Sequence, residues 1–268
     1  MAQKVVLVTG GSSGIGKSIG SFLLSKGFKV YGTTRNKSGY PDFCVFDLLE
    51  MDVRKVETIQ QAVDEIISRE GKIDILVNNA GIGIMGPIEE TPHEEILGAF
   101  DTNFHGPLHV AKTVLPQMRK QGSGYIVNIT SIAGYMGLPF RGIYSATKGA
   151  LELATEAMRI EAKDSGVRIC SLAPGDFATN IASGRYHVPV TKSSPYKKYE
   201  EALVIMNTHV DAGLDPILVA RMVLKIINND NPKVHYRVGA PIQKFSLFLK
   251  KILPDKLYEK LLMNHYKL

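Results

Sequence analysis

The stretch VVLVTGGSSGIGKSIG, residues 5–20, constrains this chain more than any other. A short apolar run reads as a buried strand over 5–9, and a helical pattern opens at 15. Between them, Gly10 lets the chain turn sharply, Gly14 lets backbone approach a diphosphate, and Gly16 permits close helix–strand packing. The helix N-terminus then offers unpaired amides to an anion, so Ser12, Ser13 and Ile15 fall in the same cofactor-binding turn. The lysine of a nucleotide-hydrolase phosphate loop is missing from its required place, because Lys17 and Ser18 follow Gly16 in a different spacing.

Downstream, strand-like and helix-like patterns alternate. Strands are expected at 28–34, within CVFDLLEMD ending at Asp52, and at 74–80, 124–130, 167–174 and 235–239. Helices are expected at 15–25, 56–69, 94–119, 144–163 and 216–227, long enough to serve as crossovers between parallel strands. About seven strands in this order imply an α/β fold of the Rossmann type. Its doubly wound parallel sheet has helices on both faces, and ligands bind beyond the carboxyl ends of the strands. No linker divides the 268 residues, which read as one domain. Residues 176–208 are rich in Ser, Pro, Lys and Tyr and lack a firm period. They read as a substrate lid, about 176–210, or as a surface excursion with a short helix inside.

The end of the second strand, GTTRN, chooses between cofactors. An acidic side chain there suits a free ribose hydroxyl, whereas an arginine suits a 2′-phosphate. Thr34 is neutral and Arg35 cationic, which favours NADP(H) over NAD(H), although Arg35 stacked on the adenine would read no phosphate. Asp52, closing the third strand beside Val53, is a candidate partner for the adenine amino group or else a helix cap. In NNAG (78–81), Asn79, Ala80 and Gly81 are read as lining the adenosine-ribose side of the groove.

The proton chemistry points to Tyr144 and Lys148. Their i, i+4 spacing in GIYSATKGALE puts both on one helix face. A free tyrosine titrates near ~10, too high for a useful base, and a neighbouring ammonium favours the phenolate. Ser131 ends the fifth strand, where its hydroxyl can bond a substrate oxygen and stabilise charge developing there.

Taken together, TGGSSGIG (9–16), NNAG, Asn103 in FDTNFHG, Ser131, YSATK (144–148) and PGDFAT (174–179) resemble a short-chain dehydrogenase/reductase. The members most alike are the 17β-hydroxysteroid- and retinol-dehydrogenase-like ones. That resemblance implies a catalytic tetrad of Asn103, Ser131, Tyr144 and Lys148, and cofactor glycines Gly10, Gly14 and Gly16. It implies that Tyr144 and Lys148 also touch the cofactor, and that Pro174, Gly175 and Thr179 contact the nicotinamide amide. Asn103 is expected to bend its helix and hold a water linked to Lys148. Direct hydride transfer between nicotinamide and a carbonyl carbon, and a homodimer or homotetramer built on the helices at 94–119 and 144–163, are implied as well.

Other classes are disfavoured. Cys44 and Cys170 lie in apolar stretches and are expected as buried thiols, and no cysteine–histidine spacing suggests a metal. The formal net charge is +6, yet no nucleic-acid signature accompanies it. No apolar stretch approaches the roughly 20 residues of a membrane helix, and the N-terminus reads as a first strand and not a signal, so a cytoplasmic enzyme is expected. Pocket candidates are 83–86, 133–141 and 177–186, where Tyr135, Met136, Leu138, Phe140 and Phe177 suggest an apolar wall. That wall suits a steroid, retinoid or other hydrophobic ketone, aldehyde or alcohol. The segment at about 243–268 shows two apolar–basic helical stretches parted by Pro254. They are expected to pack on protein sooner than to touch a membrane peripherally. The competing readings are a nucleotide-binding regulatory or scaffold protein without turnover, an NAD(H)-preferring dehydrogenase, and an epimerase or dehydratase using the same cofactor.

Overall fold

Val5 to Val8 form the first strand, and side chains alternate across it to serve two separate cores. Val5 and Leu7 join one apolar cluster, Val6 and Val8 the other, and all four are buried. A strand covered on both faces in this way is the signature of a parallel sheet between helical layers. The protein is described by a computed structural model that covers residues 3–177, 184–211 and 213–268.

In chain order the elements are β1 (Val5–Val8), α1 (Gly14–Ser25), β2 (Lys29–Thr34), β3 (Asp47–Glu50), α2 (Val56–Glu70), β4 (Ile75–Asn78) and β5 (Ile84–Met85). Next come α3 (His93–Phe100), α4 (Gly106–Gln121), β6 (Gly124–Ile129), α5 (Gly142–Glu161), β7 (Val167–Pro174) and β8 (Tyr186–His187). The chain closes with α6 (Tyr199–Asp211), α7 (Ile217–Ile227), β9 (His235–Val238), α8 (Pro241–Ile252) and α9 (Asp255–Tyr266). Seven strands make one sheet in the order β3-β2-β1-β4-β6-β7-β9, with every pairing parallel. Strand order reverses between β1 and β4, and the crevice at their carboxyl ends is where such sheets bind ligands.

One core packs α2 (Ile59, Val63, Ile66) and α4 (Val110, Val114, Met118) against the sheet; the other packs α1 (Ile19, Leu23) and α7 (Val219, Val223, Ile226). The doubly wound expectation from the sequence is met, with differences in detail. The helix expected at 94–119 is interrupted. Between α3 and α4, Asp101–His105 forms a π turn in which the Gly106 amide donates to the Asp101 carbonyl five residues back. Residues 176–208 are not without structure, since β8 pairs with β5 and α6 begins at Tyr199. Cys44 is exposed, contrary to expectation, while Cys170 is buried. The apolar letters around Cys44 belong to a loop, from which Phe46 turns in over Gly20 and Gly32.

Candidate active site

The glycine turn fits its place by subtraction of atoms. A Cβ at Gly16 would stand 2.2 Å from the Gly10 carbonyl oxygen, so α1 reaches this close to the turn only without a side chain there. Gly10 (φ 64°) and Gly14 (φ 52°) occupy the left-handed region. Opposite the turn, the Thr9 hydroxyl accepts hydrogen bonds from the Asn79 and Ala80 amides, both at 2.9 Å. The Asn79 side-chain amide donates to the Thr9 and Gly10 carbonyls at 3.0 and 3.2 Å. The ends of β1 and β4 are thus tied together, leaving an open cradle whose shape is backbone.

At the other end of the cleft the side chains are buried and polar. Lys148, on α5, is 5% exposed and donates to the Ile129 carbonyl at 3.1 Å. Burial pulls its pKa below the ordinary lysine value, against the charges of Tyr144 and Glu152, which pull it up. Its ammonium lies 6.0 Å from the centre of the Tyr144 ring, and the Arg141 guanidinium lies 5.4 Å from the same ring. Ser131 lies two residues beyond β6 and caps the helical turn at Ile132–Tyr135, its hydroxyl accepting from the Ala133 amide at 3.2 Å.

Asn103 sits in the π turn and is fully buried. Its amide pairs with one residue in both directions, accepting from the Ile82 amide at 2.8 Å and donating to the Ile82 carbonyl at 2.9 Å. That two-way bond satisfies a backbone segment that no strand covers, and the widened turn delivers the side chain to it. A Cβ built on Gly81 would come within 3.0 Å of Asn103 Oδ1 and 3.5 Å of Lys148 Nζ. Gly81, Asn103 and Lys148 therefore converge on one point.

Behind this point lies a buried polar cluster that the sequence reading passed over. Glu152, one turn beyond Lys148, accepts hydrogen bonds from Thr130 and Ser171 and lies 2.8 Å from His235 Nδ1. His235 Nε2 in turn lies 3.0 Å from Glu156. The signal was present: Glu152 continues the Tyr144, Lys148 spacing at i+4 on the same helix face.

The cleft has a volume of about 550 Å³ and brings together most of the expected residues. The turn residues Gly10, Ser12, Ser13, Gly14 and Ile15 line it, as do Arg35, Val53, Asn79, Ala80 and Gly81. So do Ser131, Tyr144, Lys148, Pro174 and Gly175. Gly16 and Asn103 stand behind the surface. Asp52 is not on the lining either; Arg54 engages its carboxylate at 2.6 Å and holds it below the usual carboxylate range. Thr179 lies outside the described residues.

Of the five residues expected to make an apolar wall, only Phe177 reaches the cleft. Tyr135 packs edge-on to His235, Met136 receives the Tyr258 hydroxyl, and Phe140 packs on Tyr199. Leu138 packs with the C-terminal Leu262. Ile82, with the buried Ile84 and Met85, adds apolar lining beside Phe177, and Arg141, Asp176 and Arg185 line the cleft as charged groups. Among the described residues, no three histidine, cysteine or carboxylate groups converge as a metal site.

A family model described as short chain dehydrogenase matches residues 4–187. The chain is 36% identical over 268 residues to a 3-ketodihydrosphingosine reductase of Bacteroides thetaiotaomicron, covering 99% of both chains. It is 30% identical to an NADPH-dependent 3-dehydrocapnine reductase of Ornithobacterium rhinotracheale, covering 99% of this chain and 98% of the other. Among solved structures, a short-chain dehydrogenase from Streptomyces avermitilis superposes with a TM-score of 0.83 at 29% identity, over 98% of this chain and 97% of that one.

Proposed function

The chain belongs to the short-chain dehydrogenases and works with a nicotinamide cofactor as an oxidoreductase, and from that premise we propose that it is an NADP(H)-dependent reductase of a long-chain 3-keto lipid. The observation that carries the chemistry is the convergence of Tyr144, Lys148, Asn103 and Gly81 at the carboxyl edge of the sheet, beside the glycine cradle. Two relatives alike over nearly their whole length, named for 3-keto and 3-dehydro substrates of the lipid type, support the substrate class. So does the apolar strip of Ile82, Ile84 and Met85.

When bound, the nicotinamide supplies a hydride to the carbonyl carbon. Tyr144 then donates its phenolic proton to the carbonyl oxygen, and the Ser131 hydroxyl bonds that oxygen as its charge grows. Lys148 places positive charge beside the Tyr144 ring and holds the ribose. Asn103, within reach of Gly81 and Lys148, positions the water from which the proton is replenished. At the far end the glycine cradle holds the diphosphate and Arg35 meets the 2′-phosphate.

The whole chain is taken as one domain, with residues about 176–210 as a lid and about 243–268 as a C-terminal segment closing one side of the site. Exposed Leu153 and Ile160 lie seven apart on α5, which suits assembly into a dimer or tetramer through that helix. No helix among the described residues is long and apolar enough to cross a membrane, and a cytoplasmic enzyme is proposed.

The test is NADPH consumption by purified protein with 3-ketodihydrosphingosine, steroid and retinoid carbonyls, with NADH and Tyr144→Phe in parallel. The expected result is turnover of the long-chain ketone with NADPH, weaker turnover with NADH, and a loss of about 10²–10⁴-fold in the variant. Undiminished turnover in Tyr144→Phe, or none with any carbonyl by protein that binds NADPH, would overturn the reading.

A further inference from the structure

Helix α8 turns its apolar surface outward. Leu247 is buried in a cluster with Ile132, Met136 and Ala173, which fixes the inner side of the helix. On the outer side Ile242 is 71% exposed, Phe245 52%, Phe248 54% and Ile252 56%. At 3.6 residues per turn these four fall in one arc of about 120°, roughly opposite Leu247, while Leu249 near its edge and Leu253 beside it are half-buried against the same cluster. The two phenylalanine rings lie 6.0 Å apart and form its centre. A helix that merely packs on the protein presents polar residues there.

The charge around this arc has one sign. Lys244 and Lys251, seven apart, lie along the Phe248 edge of the arc and are both exposed. Beyond Pro254, α9 carries exposed Leu257 and Leu261 four residues apart, with exposed Lys256 and Lys260 beside them. From residue 244 to the end there are six lysines (244, 250, 251, 256, 260, 267) against Asp255 and Glu259. Asp255 is already engaged by Lys250 at 3.4 Å.

From this we infer that the outer face of α8, together with α9, is a docking surface for an anionic lipid bilayer, with α8 lying in the plane of the interface. Phenylalanine and isoleucine enter the acyl boundary, and the flanking lysines meet lipid phosphates. A second copy of the chain fits the same face poorly. It would bring the same excess of lysines to the contact, with few carboxylates on either side to offset them.

The inner side of α8 borders the cleft. The Gln243 side-chain amide donates to Asp176 at 2.6 Å, and Asp176 lines the cleft. Docking therefore brings the mouth of the site next to the lipid phase. The inference stands on α8 itself and not on the ketone assigned above.

The experiment is co-sedimentation of the full chain with phosphatidylcholine vesicles, with or without phosphatidylglycerol, at low and high salt. NADPH titration and thermal midpoint report folding. Two double variants, Phe245→Ser with Phe248→Ser and Lys244→Glu with Lys251→Glu, are run beside the parent. The parent is expected to bind the phosphatidylglycerol vesicles at least about tenfold more tightly than neutral ones, and less at high salt. Each double variant is expected to lose about tenfold or more while NADPH binding and thermal midpoint stay put.

Folded parent protein left in the supernatant overturns the proposal, and so does equal binding by the parent and both variants. A parent dimer that ignores vesicles and becomes a monomer on the phenylalanine substitutions also overturns it, and assigns the face to a subunit contact. No ketone turnover together with intact vesicle binding removes only the substrate reading.

Discussion

The two ends of the cleft are held by different kinds of atoms. At the nucleotide end the shape is backbone: carbonyls and amides of β1 and β4 joined through the Thr9 hydroxyl and the Asn79 amide, with glycines where a Cβ would collide. At the chemical end it is buried side chains, Lys148, Asn103 and Glu152, each taken from water and each given partners. Backbone donors suit a ligand that must be gripped and released unchanged, because they do not titrate. Proton transfer needs groups that do, and burying those opposes stability unless every partner is in place. The glycine cradle, apart from Arg35 beside it, therefore fails on volume, whereas the buried polar end tolerates small changes of volume and fails on charge.

Lys148→Met tests this contrast hardest. The shape is nearly kept and the charge removed, so kcat/KM is expected to fall by about 10²–10⁴-fold in steady-state assays, while the thermal midpoint does not drop. The pH dependence of stability sharpens the point. Lys148 titrates lower in the folded chain than in the unfolded one, where it sits near 10.5. Between those two values the unfolded chain holds the proton and the folded chain does not, so stability without cofactor rises with pH across that window. In Lys148→Met this alkaline rise should be absent from urea titrations; its persistence would assign it to another group.

The mirror test is Gly16→Ala, a change of volume with no change of charge. The added methyl meets the Gly10 carbonyl, and a loss of about 1–3 kcal/mol in stability is expected, with NADPH affinity weakened by about tenfold or more. Urea denaturation and fluorescence titration read the two effects, and unchanged NADPH affinity would break the contrast.

Glu152→Gln is the mildest. One acceptor oxygen stays and the charge goes, so about 1 kcal/mol of stability should be lost in urea denaturation with NADPH affinity unmoved. A matching loss of NADPH affinity would mean that the two ends are not separable.

The same contrast governs what the sequence made legible. A glycine turn is local: its meaning lies in a dozen consecutive letters between an apolar run and a helix, and the parallel order of the sheet follows from the alternation around it. The positions of Ser131, Tyr144 and Lys148 were legible because a strand end and an i, i+4 spacing fix where such side chains stand. The loop 133–141 was not. Which way Tyr135 or Phe140 turns depends on α6, α8, α9 and β9, far off in sequence, and Phe140 adopts a φ of 57° that no letter of the loop announces. Glu152 escaped notice for the opposite reason. A carboxylate on a helix reads as solvated, and only the packing of α5 against β6 and β7 removes it from water.

The π turn at Asp101–His105 carries a consequence for anyone who would redesign this chain. One extra residue in a helix rotates everything after it by about 100°. The face that α4 offers to the sheet, with Val110, Val114 and Met118, is therefore phased by the same bulge that aims Asn103 at Ile82. Deleting a residue to straighten the helix would not trade function for rigidity. It would swing the Asn103 amide away from Ile82 and pull three core side chains off the sheet together, so the register of that buried amide and the folding register form one unit of inheritance.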